Sequence, residues 1–185
     1  MELMDALRLR RAVRDFAETP VSEKEIRDLV QAAVLAPSAM NLQPWTFAAT
    51  LDRKLIDSLA ERGRQWAIEN PAATGFGEDA RSLLERPGFN IFYHAPALVL
   101  VIAQSSAAQA VEDCCLAAEN LMLAARDRGI GSCWIGFSRA FLNRKEVKAE
   151  LGLDERSEVV APLILGYPKA WPETHGRKMP HIHWF

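Results

Sequence analysis

The chain has 185 residues, of which 49% are hydrophobic and 25% are charged, and its formal net charge is −2 at pH 7. This composition is typical of a water-soluble globular protein and predicts a single domain spanning 1–185 with a core of its own. A slightly acidic chain has no general attraction for nucleic acid or for an anionic membrane. Neither is therefore an expected partner, and any basic site must be local.

The N-terminus and the cysteines predict a cytoplasmic protein. Glu2 and Asp5 stand where a signal peptide would place a basic region ahead of an apolar one. The longest apolar run, 95–103, is too short to span a bilayer. The three cysteines lack the C-x-x-C spacing of a zinc or redox motif, which fits a reducing compartment. Cys133 is either a redox thiol or a buried apolar residue, and the second interpretation is favoured.

The first half of the chain predicts helices and one strand. In order, these are a helix at 2–9, a helix from Ser22 to the Ala36–Pro37 loop, a strand at 45–51 and a helix at 52–68. Ser22 and Glu25 fit a capping box, and Asp52 is a residue type that caps helix N-termini. Scattered prolines and glycines make 70–90 an irregular, part-helical excursion and a candidate mobile lid.

The second half predicts three strands, two helices and a tail. In order, these are a strand at 97–103, a helix at 108–128, a strand at 133–135, a helix from Asn143 to Gly152, a strand at 159–165 and an extended tail at 166–185. Gly129 is the expected C′ residue of the long helix. Asn143 and Glu146 fit a second capping box. Segregated helices and strands without regular βαβ alternation predict an α+β domain.

A polar loop follows the second helix. Pro37 and Pro44 bound a segment that contains Ser38, Asn41 and Gln43, and both prolines disfavour a continuing helix. The loop presents hydroxyl, amide and free backbone groups that could hydrogen-bond a flat polar heterocycle. The alternative is an ordinary loop that ends a helix.

A basic cluster precedes this loop, formed by Arg8, Arg10, Arg11 and Arg14. A guanidinium group binds phosphate oxygens in a bidentate manner and stays charged at any workable pH, so the cluster is a candidate anion site. The alternative is a solvated helix end whose cations interact favourably with the helix dipole.

These two segments together resemble the N-terminal signature of the nitroreductase family of FMN-dependent oxidoreductases. The matching patterns are R-R-x-x-R at 10–14 and A-P-S-x-x-N-x-Q-P-W at 36–45, followed by similar segments at 129–137 and 176–180. The resemblance implies a central mixed sheet flanked by helices and an intertwined homodimer. It also implies C-terminal segments that reach the partner, and two FMN molecules at the subunit interface.

The resemblance implies roles for the basic residues. Arg10 would contact the FMN phosphate, and Arg11 and Ala12 would line the same end. Many relatives have Ser at the Ala12 position, so one hydroxyl contact is absent here. Arg14 would reach the flavin N1 and O2 edge, where a fixed cation stabilises negative charge on the reduced ring and tunes its reactivity.

Three further sets of contacts follow from the same resemblance. The loop residues Pro37, Ser38, Ala39 and Asn41 would cover the flavin of the other subunit, and Gln43 belongs to the same motif. The main chain of Ile135 and Gly136 would lie near flavin N5 and O4. In the tail, Arg177 would close on the phosphate with Lys178 as a second cation, and His175 stands where some relatives have a lysine. The alternative for the tail is a metal site built from His175, His181 and His183, which has no carboxylate or cysteine ligand beside it.

The function implied is hydride transfer from NAD(P)H through FMN to an electron-poor acceptor such as a nitroaromatic or a quinone, in a ping-pong cycle. No side-chain acid or base is required, because the flavin carries the chemistry. The alternatives are a specialised flavoenzyme of the same fold, such as a dehalogenase, an azoline dehydrogenase or a flavin-fragmenting enzyme, and a flavin store or sensor. The sequence does not name the acceptor or choose between NADH and NADPH.

Overall fold

The computed structural model describes residues 1–75, 78–173 and 176–185. Its helices are α1 (Leu3–Leu9), α2 (Glu23–Ala33), α3 (Arg53–Glu69), α4 (Pro71–Thr74), α5 (Glu78–Leu84), α6 (Ala108–Asp127), α7 (Gly136–Leu142) and α8 (Lys145–Glu150). Its strands are β1 (Trp45–Thr50), β2 (Ala97–Ala103), β3 (Gly131–Trp134) and β4 (Glu158–Gly166), and a short 3₁₀ helix spans Ala39–Asn41. No helix in these described ranges is long and apolar enough to cross a membrane.

The four strands form one sheet in the order β1-β2-β4-β3, and every neighbouring pair of strands is antiparallel. The described strands thus form an antiparallel sheet, and the parallel pairing between Ala12 and Ser132 at the β3 edge is an isolated bridge outside the strands. Helices cover the sheet, so the predicted α+β class is confirmed.

The sheet separates two layers of apolar packing. Along β2, Val99 and Val101 face a core that includes buried residues of α2 and α6, whereas Leu98 and Leu100 face a core that includes buried residues of α3 and α7. Successive side chains of a strand point to opposite faces, so a strand covered on both faces is apolar throughout. This explains why all seven residues of β2 are buried.

Three predicted helix boundaries are confirmed. The Ser22 side chain accepts a hydrogen bond from the Glu25 backbone N–H, and the Glu25 carboxylate accepts one from the Ser22 backbone N–H. Asp52 accepts hydrogen bonds from the backbone N–H groups of Lys54 and Leu55. The long helix α6 ends before Gly129, whose φ of +73° is readily adopted by glycine.

The second capping box is wrong. Arg144, not Asn143, precedes α8, and no side chain caps that helix. The Asn143 side chain instead donates hydrogen bonds to the carbonyl oxygens of Arg139 and Val159 and accepts one from the Val159 backbone N–H. This side chain therefore ties the end of α7 to β4, a long-range role that local spacing does not reveal.

Two other regions differ from the sequence prediction in detail. Helix α7 was not predicted, and it begins directly after the short strand at Gly136. Helices α4 and α5 occupy part of the irregular stretch at 70–90, in which residues 76 and 77 lie outside the described residues. The described part of the tail has no regular helix or strand, and residues 176–185 are exposed.

Candidate functional site

The basic segment after α1 lies beside β3. The backbone N–H of Val13 donates a hydrogen bond of 3.0 Å to the carbonyl oxygen of Ser132, next to the bridge that Ala12 makes with the same residue. Gly131 allows this approach, because a Cβ there would lie 2.7 Å from the Cβ of Val13. The segment is therefore fixed at the start of β3.

Only some of the guanidinium N–H groups of Arg10 and Arg11 make hydrogen bonds within the described chain. Arg10 pairs with Glu119 of α6 at 3.1 Å through Nε. Arg11 donates to the carbonyl oxygens of Arg8 and Arg10 at 2.8 and 2.6 Å, and its buried Nε has no partner among the described residues. A buried donor without a partner is costly, so this arrangement fits an added anion.

Arg14 belongs to a second cluster with Tyr93 and Cys133. Its guanidinium carbon lies 5.8 Å from the centroid of the Tyr93 ring. Burial raises the pKa values of the Cys133 thiol and of the Tyr93 hydroxyl, and the Arg14 charge opposes both shifts. Tyr93 and His94 both have a φ of +52°, a conformation that is uncommon outside glycine and that clusters at functional sites.

Cys133 is a buried residue of β3, as the favoured interpretation holds. The thiolate is the reactive form of cysteine, and burial disfavours it. The raised pKa of Cys133 therefore argues against a redox thiol at this position.

The polar loop at 37–43 is held by its own side chains and by α6. The Ser38 hydroxyl accepts a hydrogen bond of 3.0 Å from the Gln43 backbone N–H, and the Gln43 amide donates to Asn41 Oδ1 at 3.1 Å. The Ala39 backbone N–H points at both carboxylate oxygens of Asp113, at 3.1 and 3.2 Å. The positive φ angles of Asn41 and Gln43, 55° and 48°, mark a constrained backbone.

The predicted site residues thus lie in two separate groups within one chain. Arg10, Arg11 and Ala12 lie with the start of β3, whereas the loop from Ser38 to Gln43 packs on α6. Within the described ranges, no hydrogen bond or ion pair joins these two groups. Each nevertheless contacts a carboxylate of α6, through Glu119 and Asp113 respectively.

Ile135 and Gly136 mark the transition from β3 to α7. Ile135 is buried, and its backbone N–H donates to the Pro162 carbonyl oxygen at 2.8 Å. Gly136 lines a cleft of about 710 Å³, together with Trp134 and the ion pair between Arg139 and Glu158. The remaining residues of the cleft come from α4, α7, α8 and neighbouring loops.

The predicted tail residues are exposed. Arg177 and Lys178 make no hydrogen bond or ion pair with the rest of the described chain, so it does not bring them to Arg10. His181 and His183 are exposed, and His175 lies outside the described residues. Among the described residues there is no group of three or more His, Cys, Asp or Glu side chains that could hold a metal ion.

Sequence reasoning missed the partners of these residues. They are Tyr93 beside Arg14, Asp113 below the loop, Glu119 beside Arg10, and a stack of Arg126 on Trp171. Asp113 carried one usable signal, since it is a carboxylate directly before Cys114 on the buried stripe of a long helix. The other contacts join distant parts of the chain and have no local pattern.

A sequence profile described as the nitroreductase family matches residues 7–167. The chain belongs to the nitroreductase family. The match covers the basic segment, the polar loop and the turn at Gly136, which were predicted from sequence motifs. The match to the family profile therefore includes every described helix and strand from α2 to β4.

Individual relatives agree with this assignment. A protein of Archaeoglobus fulgidus, provisionally named NADH dehydrogenase/NAD(P)H nitroreductase, is 31% identical over 91% of this chain and 86% of its own length. The 4-nitrobenzoate reductase of Pseudomonas putida is 28% identical over 92% of this chain and 87% of its own. The crystal structure of a nitroreductase from Bacteroides fragilis with bound FMN superposes with a TM-score of 0.82, at 28% identity, over 100% of this chain and 99% of that one.

Proposed function

We propose that this nitroreductase-family chain is an FMN-dependent oxidoreductase that takes reducing equivalents from NAD(P)H and passes them to an electron-poor acceptor. The observation that carries the proposal is the basic segment, in which Arg11 keeps a buried Nε without a partner beside Arg10. Such a pair of cations fits the phosphate of FMN. The FMN bound to the Bacteroides fragilis nitroreductase supports the choice of cofactor.

The residues that would hold FMN are those that the motifs single out. Arg10, Arg11 and Ala12 would bind the phosphate end, with Arg177 and Lys178 of the tail closing over it. The main chain of Ile135 and Gly136 would face the reactive edge of the ring. When bound, FMN supplies the redox chemistry by accepting hydride from NAD(P)H and reducing the acceptor in a ping-pong cycle.

Arg14 would tune the cofactor. Its charge is fixed, because guanidinium stays protonated at any workable pH, and its position is limited by the Tyr93 ring. A preorganised cation stabilises negative charge that develops nearby and needs no reorganisation during the reaction. Arg14 therefore favours reduction of a group placed against it.

A second copy of the chain would complete the site. The loop holding Pro37, Ser38, Ala39, Asn41 and Gln43 lies apart from the basic segment in one chain, which fits a loop that covers the partner's flavin. The loop also exposes Met40 by 91% and Leu42 by 70%, and such exposed apolar side chains are typical of interfaces. We infer a homodimer of one-domain subunits that acts in the cytoplasm.

The acceptor would be a nitroaromatic or a quinone. The name of the Pseudomonas putida relative, 4-nitrobenzoate reductase, favours a nitroaromatic. Small aromatic acceptors and the nicotinamide ring are both flat, so one cavity over the flavin can serve both in turn.

Anaerobic spectroscopy tests the proposal. The desalted protein, with and without added FMN, should show flavin bands that bleach with NADH or NADPH and return when a nitroaromatic or a quinone is added. A bound flavin that neither nucleotide bleaches would favour the store or a specialised enzyme. Failure to bind FMN would contradict the proposal altogether.

A double variant tests the phosphate contacts. Arg10→Ala/Arg177→Ala should lower FMN affinity by at least about tenfold, since charge-assisted hydrogen bonds to phosphate are lost. The matched control is Arg27→Ala/Arg86→Ala, which removes two equally charged, exposed side chains outside the site. Equal affinities of the two double variants would show that the phosphate assignment is wrong.

A further inference from the structure

Two arginines in the described part of the chain have a buried Nε without a hydrogen-bond partner. They are Arg11 and Arg126, and within the described ranges no other buried side-chain nitrogen or oxygen is in this state. Arg11 belongs to the basic segment. Arg126 lies on the last turn of α6 and was not part of any predicted motif.

The backbone places Arg11 in the region where α6 ends and β3 begins. The bridge between Ala12 and Ser132 brings the residue after Arg11 to β3, which follows α6 directly in the chain. Burial lowers the pKa of Arg126, and the charge of Arg11 lowers that pKa further. The positive charge of Arg126 is thus partly shielded from water and feels the like charge of Arg11.

No acid neutralises this pair in the described chain. Asp127, next to Arg126, accepts a hydrogen bond of 2.5 Å from the N-terminal ammonium group of Met1. Arg128 lies 3.9 Å from Asp28. Arg126 itself is half-buried and has no carboxylate partner among the described residues, although cations withdrawn from water are normally paired.

Trp171 fixes the orientation of Arg126. The guanidinium carbon of Arg126 lies 3.5 Å from the centroid of the Trp171 ring. A stack of this kind occupies one face of the planar guanidinium and leaves its N–H edge free to donate. Trp171 is also the point from which the tail continues towards Arg177.

We propose that Arg126 and Arg11 form a binding site for a phosphate monoester, with Trp171 as the positioning residue. Two fixed guanidinium groups match the charge and the oxygens of a phosphate dianion better than those of a single carboxylate. The inference rests on the proposed function, which offers two sources of this group. They are the 5′-phosphate of FMN and the 2′-phosphate of NADPH.

Flavin binding by Arg126→Gln tests the first source. If the site holds the FMN phosphate, affinity for FMN should fall by about tenfold while affinity for riboflavin, which lacks the phosphate, stays unchanged. Trp171→Leu should weaken FMN binding less, because the cation remains but loses its fixed orientation. The matched control is Arg128→Gln, two residues further along, which should bind both flavins like the wild type.

Nucleotide binding tests the second source. If the site holds the NADPH phosphate, Arg126→Gln should lose affinity for NADP⁺ but keep its affinity for NAD⁺, and both flavins should bind normally. Unchanged affinity for FMN and for NADP⁺ would overturn the inference. Equal losses for FMN and riboflavin would also overturn it, because a phosphate contact cannot affect riboflavin.

Flavin-free protein separates this inference from the proposed function. Inorganic phosphate should raise the melting temperature of the wild type and of Arg128→Gln but not that of Arg126→Gln. This result can be obtained even if the wild type binds no flavin, an outcome that would refute the proposed function alone.

Discussion

At the scale of single residues, the candidate site depends on one close approach between backbones. Gly131 begins β3 and lies against the side chain of Val13, which is buried between Ala12 and Arg14. Any side chain at Gly131 would push this segment outward. The position of the arginines is therefore set by a residue that contacts no ligand.

Gly131→Ala should destabilise the protein by about 1–3 kcal/mol, the usual cost of overpacking a well-packed position. FMN affinity should fall as well, because the segment from Arg10 to Arg14 must move. Urea unfolding and flavin titration measure the two effects. Gly176→Ala is the control for the stability measurement, since a Cβ there meets nothing within 4 Å. A Gly131→Ala protein of normal stability and affinity would show that the segment adapts without cost.

Sequence motifs single out the candidate site residues but not the side chains that contact them. Arg10, Arg11 and Asn41 stand in motifs that resemble those of the nitroreductase family. Tyr93 and Asp113 cannot be recognised in this way, because their contacts join segments that are far apart in the chain. Local patterns carry information on turns and caps, whereas such contacts are set by how the whole sheet packs.

At the scale of secondary structure, α6 connects the parts of the candidate site. Its buried Asp113 holds the polar loop, Glu119 pairs with Arg10, and Arg126 stacks on Trp171 near its end. The apolar stripe and the terminal glycine of this helix were predictable. The polar side chains on it were assigned to no role, because a charged residue on a helix is most often solvated.

Helix α2 offers a test of how a cap depends on pH. The Tyr167 hydroxyl donates a hydrogen bond to the Glu25 carboxylate of the capping box, and this bond is the main reason that the pKa of Glu25 lies below its usual 4.5. A lowered folded-state pKa stabilises the protein above pH 4.5, and the stabilisation is lost as pH falls through the lower, folded value.

Tyr167→Phe should therefore lower the free energy of unfolding by about 1 kcal/mol at pH 7 and by less at pH 3. Urea unfolding at both pH values measures the difference. In a Glu25→Gln background, the same substitution should have an effect that does not change with pH. A constant effect in the wild-type background would show that the hydroxyl does not act through the carboxylate.

At the scale of the whole molecule, most of the exposed large apolar side chains in the described residues lie in three places. These are α1, the polar loop with the residues before it, and the end of the tail, represented by Leu3, Leu7, Leu35, Met40, Leu42, Ile182 and Trp184. The cost of exposing this much apolar surface suggests that a second copy covers it. The sequence motifs predicted the loop and the tail as inter-subunit segments through family resemblance, while composition alone gave no sign of them.

Mixed dimers test whether two chains build each site. Arg10→Ala and Asn41→Ala should each weaken FMN binding, the first in its own subunit and the second in the partner's site. In a mixed dimer both defects fall on one site, and the other site has Arg10 from one chain and Asn41 from the other. Co-expressed variants should therefore bind FMN at a concentration at which neither variant alone does.

The comparison needs differently tagged subunits, so that mixed dimers can be purified, and light scattering to confirm their mass. Dimers reassembled from two copies of the same variant are the control for the tags. If each subunit built its site alone, a mixed dimer would bind FMN like the average of its two parents. Recovery of tight binding cannot arise that way, because no single chain in the mixture carries both wild-type residues. It would place the loop of one subunit over the basic segment of the other.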